Sequence, residues 1–220
     1  SRLRVSFPCA RMNRTMIKKP VIILLGRPGS GKDTQGEILV RQQGLKIINS
    51  GAILRTLKKN KKIFKPGSAE KYEADMIENI MNVGKLVPTL TVVCQWRIPF
   101  LKIMQNHKRV KGVVFAGSPR KLAEAWLICE FFKNWPNAAK YFKLYPIEIK
   151  ISDKEAIKRL SLRKQCSRCG KIFSGLPRDL KLKICDKCGG KLITRKDDAK
   201  TSIKARLHEF YNYTAPVLKY

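Results

Sequence analysis

The segment KPVIILLG (19–26) is apolar without interruption and closes on glycine, the pattern of a strand buried on both faces. The period then changes. KDTQGEILVRQQ (32–43) reads as a helix ended by Gly44. KIIN gives a short strand, followed by a Ser50–Gly51 turn and a helix through AILRTLKKN. SAEKYEADMIENIMN carries apolar residues at helical spacing, with Ser68 as its cap and Gly84 as its stop. TLTVVCQWRIPFLKIMQN is a further helix, interrupted at Pro99. GVVFAG (112–117) is a second buried strand, KLAEAWLICEFFKNW an amphipathic helix and YPIEIKIS (145–152) a third strand. Ser152 and Asp153 cap KEAIKRLSLRK, and a last helix runs from DDAKTSIKARL to a break or end at Pro216. Strands separated by helices predict βαβ units on a parallel sheet, an α/β fold whose ligand loops meet at the carboxyl ends of the strands.

At 220 residues and 44% hydrophobic content, the chain can form one domain with inserted subdomains. No apolar run approaches the roughly 18 residues of a membrane helix, so no membrane partner is expected. The formal net charge of +31 comes from 47 Lys and Arg against 16 Asp and Glu. Such a balance favours polyanionic partners. The cations are scattered, however, and no block dominates, so solvated surface charge is the first reading. Residues 1–19 hold six basic residues and no acid, in composition like a mitochondrial transit peptide. Met12 and Met16 are alternative starts, which favours an upstream extension or fragment boundary over targeting.

Cysteine usage adds a metal. Cys166, Cys169, Cys185 and Cys188 form two CxxC pairs in CSRCGKIFSGLPRDLKLKICDKCGG, the spacing of a closed, structural four-thiolate zinc site. Cys94 and Cys129 lie among apolar residues, the setting of buried thiols. Cys9 is the odd one left over. Metal rather than disulfides implies a reducing compartment.

GRPGSGKDTQ (26–35) follows the first strand and opens the first helix, which is the context of a phosphate-binding loop. Its glycines free backbone N–H groups, Lys32 adds a point charge, and the helix amino end adds its dipole. Asp33 stands where a Ser or Thr is usual, with Thr34 one place later. A carboxylate beside polyphosphate can cap the helix, turn outward or help hold Mg²⁺.

Several ordered segments together resemble adenylate kinases, within the nucleoside monophosphate kinases, over residues 20–220. They are GRPGSGKDTQ, INSGAILR (48–55), GKLVP (84–88), GSPR (117–120), RLSLRKQCSRCG (159–170) and LITRKDDAKTSIKARLHEFYNYTAPVLKY (192–220). The resemblance implies a P-loop parallel-sheet core flanked by helices, a helical NMP-binding insert over 45–88 and a zinc lid over 164–196. It implies transfer of the γ-phosphoryl of ATP to AMP, with Mg²⁺ accompanying ATP, in a cytoplasmic monomer. ATP would be held by Gly29, Ser30, Gly31, Lys32, Asp33, Thr34, Arg159 and Arg163. AMP would be held by Ser50, Gly51, Arg55, Lys85, Leu86, Val87, Gly117, Arg120, Glu124, Arg195 and Arg206. Lys32, Arg120, Arg163, Arg195 and Arg206 would stabilise the transferring phosphoryl, and Asp197 and Asp198 would orient arginines.

Three departures from the family pattern matter. Ala116 replaces an aspartate that places Mg²⁺, a role Asp33 is a candidate to assume. Glu124 replaces the glutamine that reads adenine. A carboxylate only accepts hydrogen bonds, which leaves GMP open as acceptor. The resemblance also implies a strand and helix after Tyr220, as if the source sequence were truncated. Two alternatives to an AMP kinase stay open: a kinase for another monophosphate, and a non-catalytic basic nucleotide- or RNA-binding protein on the same fold. Lysines on the cysteine insert and the net charge keep nucleic acid in view, although the position of the insert between two arginine segments favours an enzyme's flap.

Overall fold

In a computed structural model, residues 18–175 and 177–220 are described, together with every side chain in them except those of residues 136, 137, 177, 178 and 196. The reading of residues 1–19 as a basic extension therefore lies outside the described residues, apart from Lys18 and Lys19.

The main sheet has four parallel strands: β1 (Lys19–Leu25), β2 (Lys46–Asn49), β3 (Val113–Ala116) and β4 (Phe142–Glu148), in the order β2-β3-β1-β4. The two central strands supply the uninterrupted apolar runs, because helices cover both faces. On one face α1 (Lys32–Gln43) packs over Ile22, Leu24 and Val114. The other face carries α2 (Ser50–Asn60), α3 (Ala69–Asn82), α4 (Thr89–Gln105) and α5 (Leu122–Asn134) over Val21, Ile23, Val113 and Phe115.

Several expectations need correction. No turn separates β2 from α2, since Asn49 caps the helix directly by accepting from Ala52 N at 2.9 Å. Pro99 does not interrupt α4. It lies on the exposed face, while Trp96, Phe100 and Met104 enter the core on the other, and both aromatics meet Phe115 edge-on. Burial of roughly 1.5–3 kcal/mol per large side chain outweighs a proline cost of about 3 kcal/mol. The same stripe leaves Cys94 on the exposed side, and Cys129 is half-buried, so neither is the core thiol its neighbours suggested. A short helix, α6 (Pro136–Tyr141), precedes β4, which starts and ends earlier than predicted.

β4 pairs only with β1 among the described residues. Ile149 N donates to Leu25 O, so by alternation residue 146 faces outward, and there the chain has proline. A missing outward donor is a usual protection of a sheet edge.

After α7 (Asp153–Leu162), whose cap Ser152 accepts from Glu155 N, the cysteine insert forms its own antiparallel sheet. Its strands β5 (Lys164–Cys166), β6 (Ile172–Phe173) and β7 (Leu192–Ile193) run in the order β6-β5-β7, and α8 (Pro177–Leu180) is a single turn. The chain then returns through α9 (Lys200–Glu209). A wide π turn at 210–214 and a 3₁₀ segment at 215–219 follow, so the α-helix ends before Pro216. No described helix is long and apolar enough to cross a membrane.

Candidate active site

A cavity of about 460 Å³ opens beyond the carboxyl ends of β1, β2 and β3. Its floor is the phosphate loop. Gly29 and Gly31 adopt φ of 78° and 96°, a left-handed conformation that turns successive amides the same way and that side chains disfavour. Lys32 folds back over the loop, donating to Gly26 O at 2.7 Å, Arg27 O at 2.6 Å and Ser30 Oγ at 3.2 Å. Burial, followed by the charge of Arg120, pushes its ammonium down to about 7. The loop is also fixed from outside. Arg27, which sequence reading passed over, donates to Asp153 Oδ1 at 2.7 Å and Tyr211 Oη at 3.0 Å, with its guanidinium over the Phe210 and Tyr211 rings.

One wall carries the INSGAILR and GSPR segments. A side chain on Gly51 would meet the Arg55 guanidinium at 3.2 Å, so that guanidinium lies over the start of α2. Gly117 brings Ser50 and Arg120 together in the same way. Asp33 Oδ1 accepts from Asn49 Nδ2 at 3.1 Å. Because Asn49 is the register partner of Ala116, this bond ties the carboxylate near the strand end where an aspartate is missing. Burial raises the Asp33 pKa, but Arg55, Lys32, Arg120 and Arg195 together outweigh it and leave the group lowered.

Glu124 borders the cavity yet is 2% exposed. Its Oε2 accepts from Ser118 Oγ at 2.7 Å and Arg120 N at 3.0 Å. Burial raises its pKa against these two bonds. The carboxylate thus braces the turn that presents Arg120. Lys85, Leu86 and Val87 form the adjacent rim. Glu209 pins this rim by accepting from Leu86 N at 3.1 Å, and α9 passes so close that a Cβ on Gly84 would come within 2.6 Å of Ser202 O.

The opposite wall is α7 and the segment after the cysteine insert. Arg163 donates through Nε to Asp198 Oδ2 at 2.8 Å and also through Nη2, while Arg206 Nη1 reaches Asp198 Oδ1 at 2.9 Å. The Asp198 side chain is wholly buried, so one carboxylate holds two arginines in a fixed fork. Asp197, on the cavity surface, lies 3.4 Å from Arg206. Burial lowers Arg206 to about 10, with Arg163 the next cause. Arg159 also borders the cavity and pairs with Glu155 at 2.7 Å on a solvated face.

Every predicted nucleotide contact borders this cavity except Arg195. Arg195 is buried behind it, with Nε donating to Gln165 Oε1 at 2.6 Å and Nη2 lacking any partner. Burial, then Arg55 and Arg163, pushes it down to about 9. Such an orphaned donor beside other cations is the signature of a place made for an anion. Asn49, Gln165 and Glu209 escaped sequence reading. They act through hydrogen bonds across 16 to 123 positions, for which no local pattern exists.

The four cysteines meet in the cysteine insert, with all Sγ atoms within 4.8 Å of one another. Two like turns present them. Gly170 N donates to Cys166 O and Gly189 N to Cys185 O, which folds each CxxC into a tight knuckle. The Cys166–Cys188 and Cys169–Cys185 separations are 3.5 and 3.6 Å. A tetrahedron with metal–sulfur bonds of about 2.3 Å requires roughly 3.8 Å, so the donor set fits zinc. Ser174 and Gly175 of the cysteine insert border the cavity.

The adenylate kinase family profile matches residues 24–220. The adenylate kinase of Elusimicrobium minutum is 33% identical over 201 residues, covering 90% of this chain and 84% of its own. That of Rickettsia africae is 33% identical over 202 residues, covering 91% and 85%. That of Caldicellulosiruptor saccharolyticus is 32% identical over 200 residues, covering 90% and 85%. With matches of this extent behind the phosphate loop and its ring of arginines, the chain belongs to the adenylate kinase family.

Proposed function

We propose that the chain is a phosphotransferase that moves the γ-phosphoryl of ATP to AMP, giving two ADP. The observation that carries this reading is the convergence of Lys32, Arg55, Arg120, Arg163 and Arg206 on one cavity, drawn from five separate segments. Phosphoryl transfer asks a protein mainly to position two substrates in line and to stabilise charge on the moving group. The phosphate loop and Lys32 hold the donor phosphates, and Arg159 lies toward the donor base. Arg55 and Arg120 hold the monophosphate, with Ser50, Gly51 and the Lys85–Val87 rim around its nucleoside. Arg163 and Arg206, oriented by Asp198, reach the group in transit. Arg195 completes the ring when the lid closes over the cavity and excludes water.

Magnesium arrives with ATP, because the protein's own hard donors near the loop are few and cations surround them. The carboxylate of Asp33 and the hydroxyl of Thr34 are oxygen donors suited to its water shell, and Asp33 stays ionised among its arginines. The metal would neutralise charge building between the β- and γ-phosphates. Zinc in the four-cysteine site would hold the shape of a lid whose own apolar cluster is small.

AMP is preferred to GMP as acceptor because one oxygen of Glu124 is already engaged by Ser118 and the Arg120 amide. An acceptor assay with AMP, GMP, CMP and UMP, on the wild type and Glu124→Gln, tests this. Faster ADP formation with AMP in both proteins is expected, because the amide oxygen of Gln can accept the same two bonds. A wild-type preference for GMP that reverts in Glu124→Gln would show that Glu124 reads the base.

A further inference from the structure

We infer that the end of the sheet opposite the active site binds the backbone of a single-stranded nucleic acid. In a parallel sheet all strand starts and helix carboxyl ends lie at one end, away from the ligand loops. Here that end is strongly basic. Lys18 precedes β1 and Lys19 opens it, Lys46 opens β2 and Lys111 precedes β3. Lys140 and Lys143 flank the start of β4, and Arg41, Lys102 and Lys133 sit in the last turns of α1, α4 and α5. Lys108 and Arg109 fill the turn before β3.

Close approaches tie these residues into one surface. The Lys111 side chain lies 3.4 Å from where a Gly44 side chain would be, beside the end of α1. Lys19 Nζ reaches Lys108 O at 3.3 Å. His107 stacks on Tyr141 at 4.3 Å, and Lys140 lies 5.4 Å above the same ring. Segments 18–19, 41–46, 102–111 and 130–143 together hold eleven Lys and Arg and one acid, Glu130, which accepts from Asn134. The carboxyl ends of α1, α4 and α5 bring only about half a negative charge each, far too little to balance this.

The apolar side chain exposed here also points to a nucleic acid. Among the described residues of these segments the one large exposed apolar side chain is aromatic: Trp135, 44% exposed and stacked on Phe131 at 5.0 Å. A cationic track with an aromatic platform suits phosphates and unstacked bases. Insertion into an anionic membrane would need exposed aliphatic side chains, and among the described residues of these segments none is large and exposed. Four strands about 4.8 Å apart, with a helical layer about 10 Å away on each side, make a face roughly 15 by 30 Å. That suits the shorter footprints in the range of about 4–16 nucleotides typical of single-strand sites.

The test measures binding of a fluorescein-labelled 20-nucleotide single-stranded RNA to the full chain by anisotropy across a salt series. Lys108→Gln/Arg109→Gln/Lys111→Gln removes three phosphate partners. It should weaken binding at least tenfold at low salt and reduce the slope of log K against log salt by about 2. Trp135→Ala should weaken binding about tenfold with the slope unchanged. Both variants should form ADP at the wild-type rate, which also reports folding; Lys102→Gln/Lys143→Gln replaces the triple variant if it does not. Saturating ATP and AMP should leave RNA binding intact, since they occupy the other end. The proposal is overturned if the triple variant binds as wild type does, or if Lys181→Gln/Lys183→Gln/Lys191→Gln on the lid weakens binding equally. It is also overturned if ATP displaces the RNA, or if vesicles with 30% phosphatidylserine bind while the RNA does not.

Discussion

Lys32 makes nucleotide binding and proton uptake one event. With only peptide carbonyls and Ser30 as partners, and Arg120 nearby, its ammonium sits at about 7. A bound polyphosphate replaces that setting with opposite charge and restores a value near the ordinary 10.4. Binding must then draw in part of a proton per site, little of one well below pH 7 and most of one at pH 8. At pH 8, phosphates with a second pKa of about 6 bring no proton of their own. Titration calorimetry of ATP in Hepes, Tricine and Tris reads the uptake as the slope of observed enthalpy against buffer ionisation enthalpy. Lys32→Arg keeps its charge at pH 8 and should abolish the slope. A flat wild-type line at pH 8, or the same slope in Lys32→Arg, would refute the reasoning. The empty protein carries the matching signature. Its Lys32 value lies below that of the unfolded chain, so this group's contribution to stability rises as pH climbs from about 7 toward 10.5.

Two further outcomes follow from the site. Asp198→Asn leaves Arg163 and Arg206 without their buried carboxylate, at a cost of about 3–5 kcal/mol. At about 2–4 °C per kcal/mol for a chain of this size, Tm should fall by roughly 10 °C, and ATP plus AMP should restore part of it; a Tm within 2 °C of wild type would contradict the fork. Purified protein should carry one zinc by metal analysis, and Cys166→Ser should lose it with a drop in activity, whereas full activity in a metal-free sample would remove the lid's need for the ion.

What could be read from the sequence depended on how far apart the cooperating residues lie. The phosphate loop is legible because strand, glycines, lysine and helix are contiguous. The two CxxC turns are legible for the same reason. The arginines were legible only through their order along a resembling family, since a lone arginine reads as surface charge. The partner that aims Arg195, Gln165, carries no pattern at all. Pro99 misled because local propensity was weighed without the Trp96–Phe100–Met104 stripe that overrides it. The basic face was invisible for a related reason. Its cations are scattered in sequence and are gathered only when parallel topology brings every strand start to one end.

The most direct measurement is a crystal structure with a bisubstrate in which two adenosines are joined through five phosphates. The expected result is that Lys32, Arg55, Arg120, Arg163 and Arg206 all contact the phosphate chain, and that Arg195 Nη2 gains the partner it lacks. Phosphates bound elsewhere, or a chain touched by Lys32 while the arginines keep only their carboxylates, would contradict a site built from converging cations.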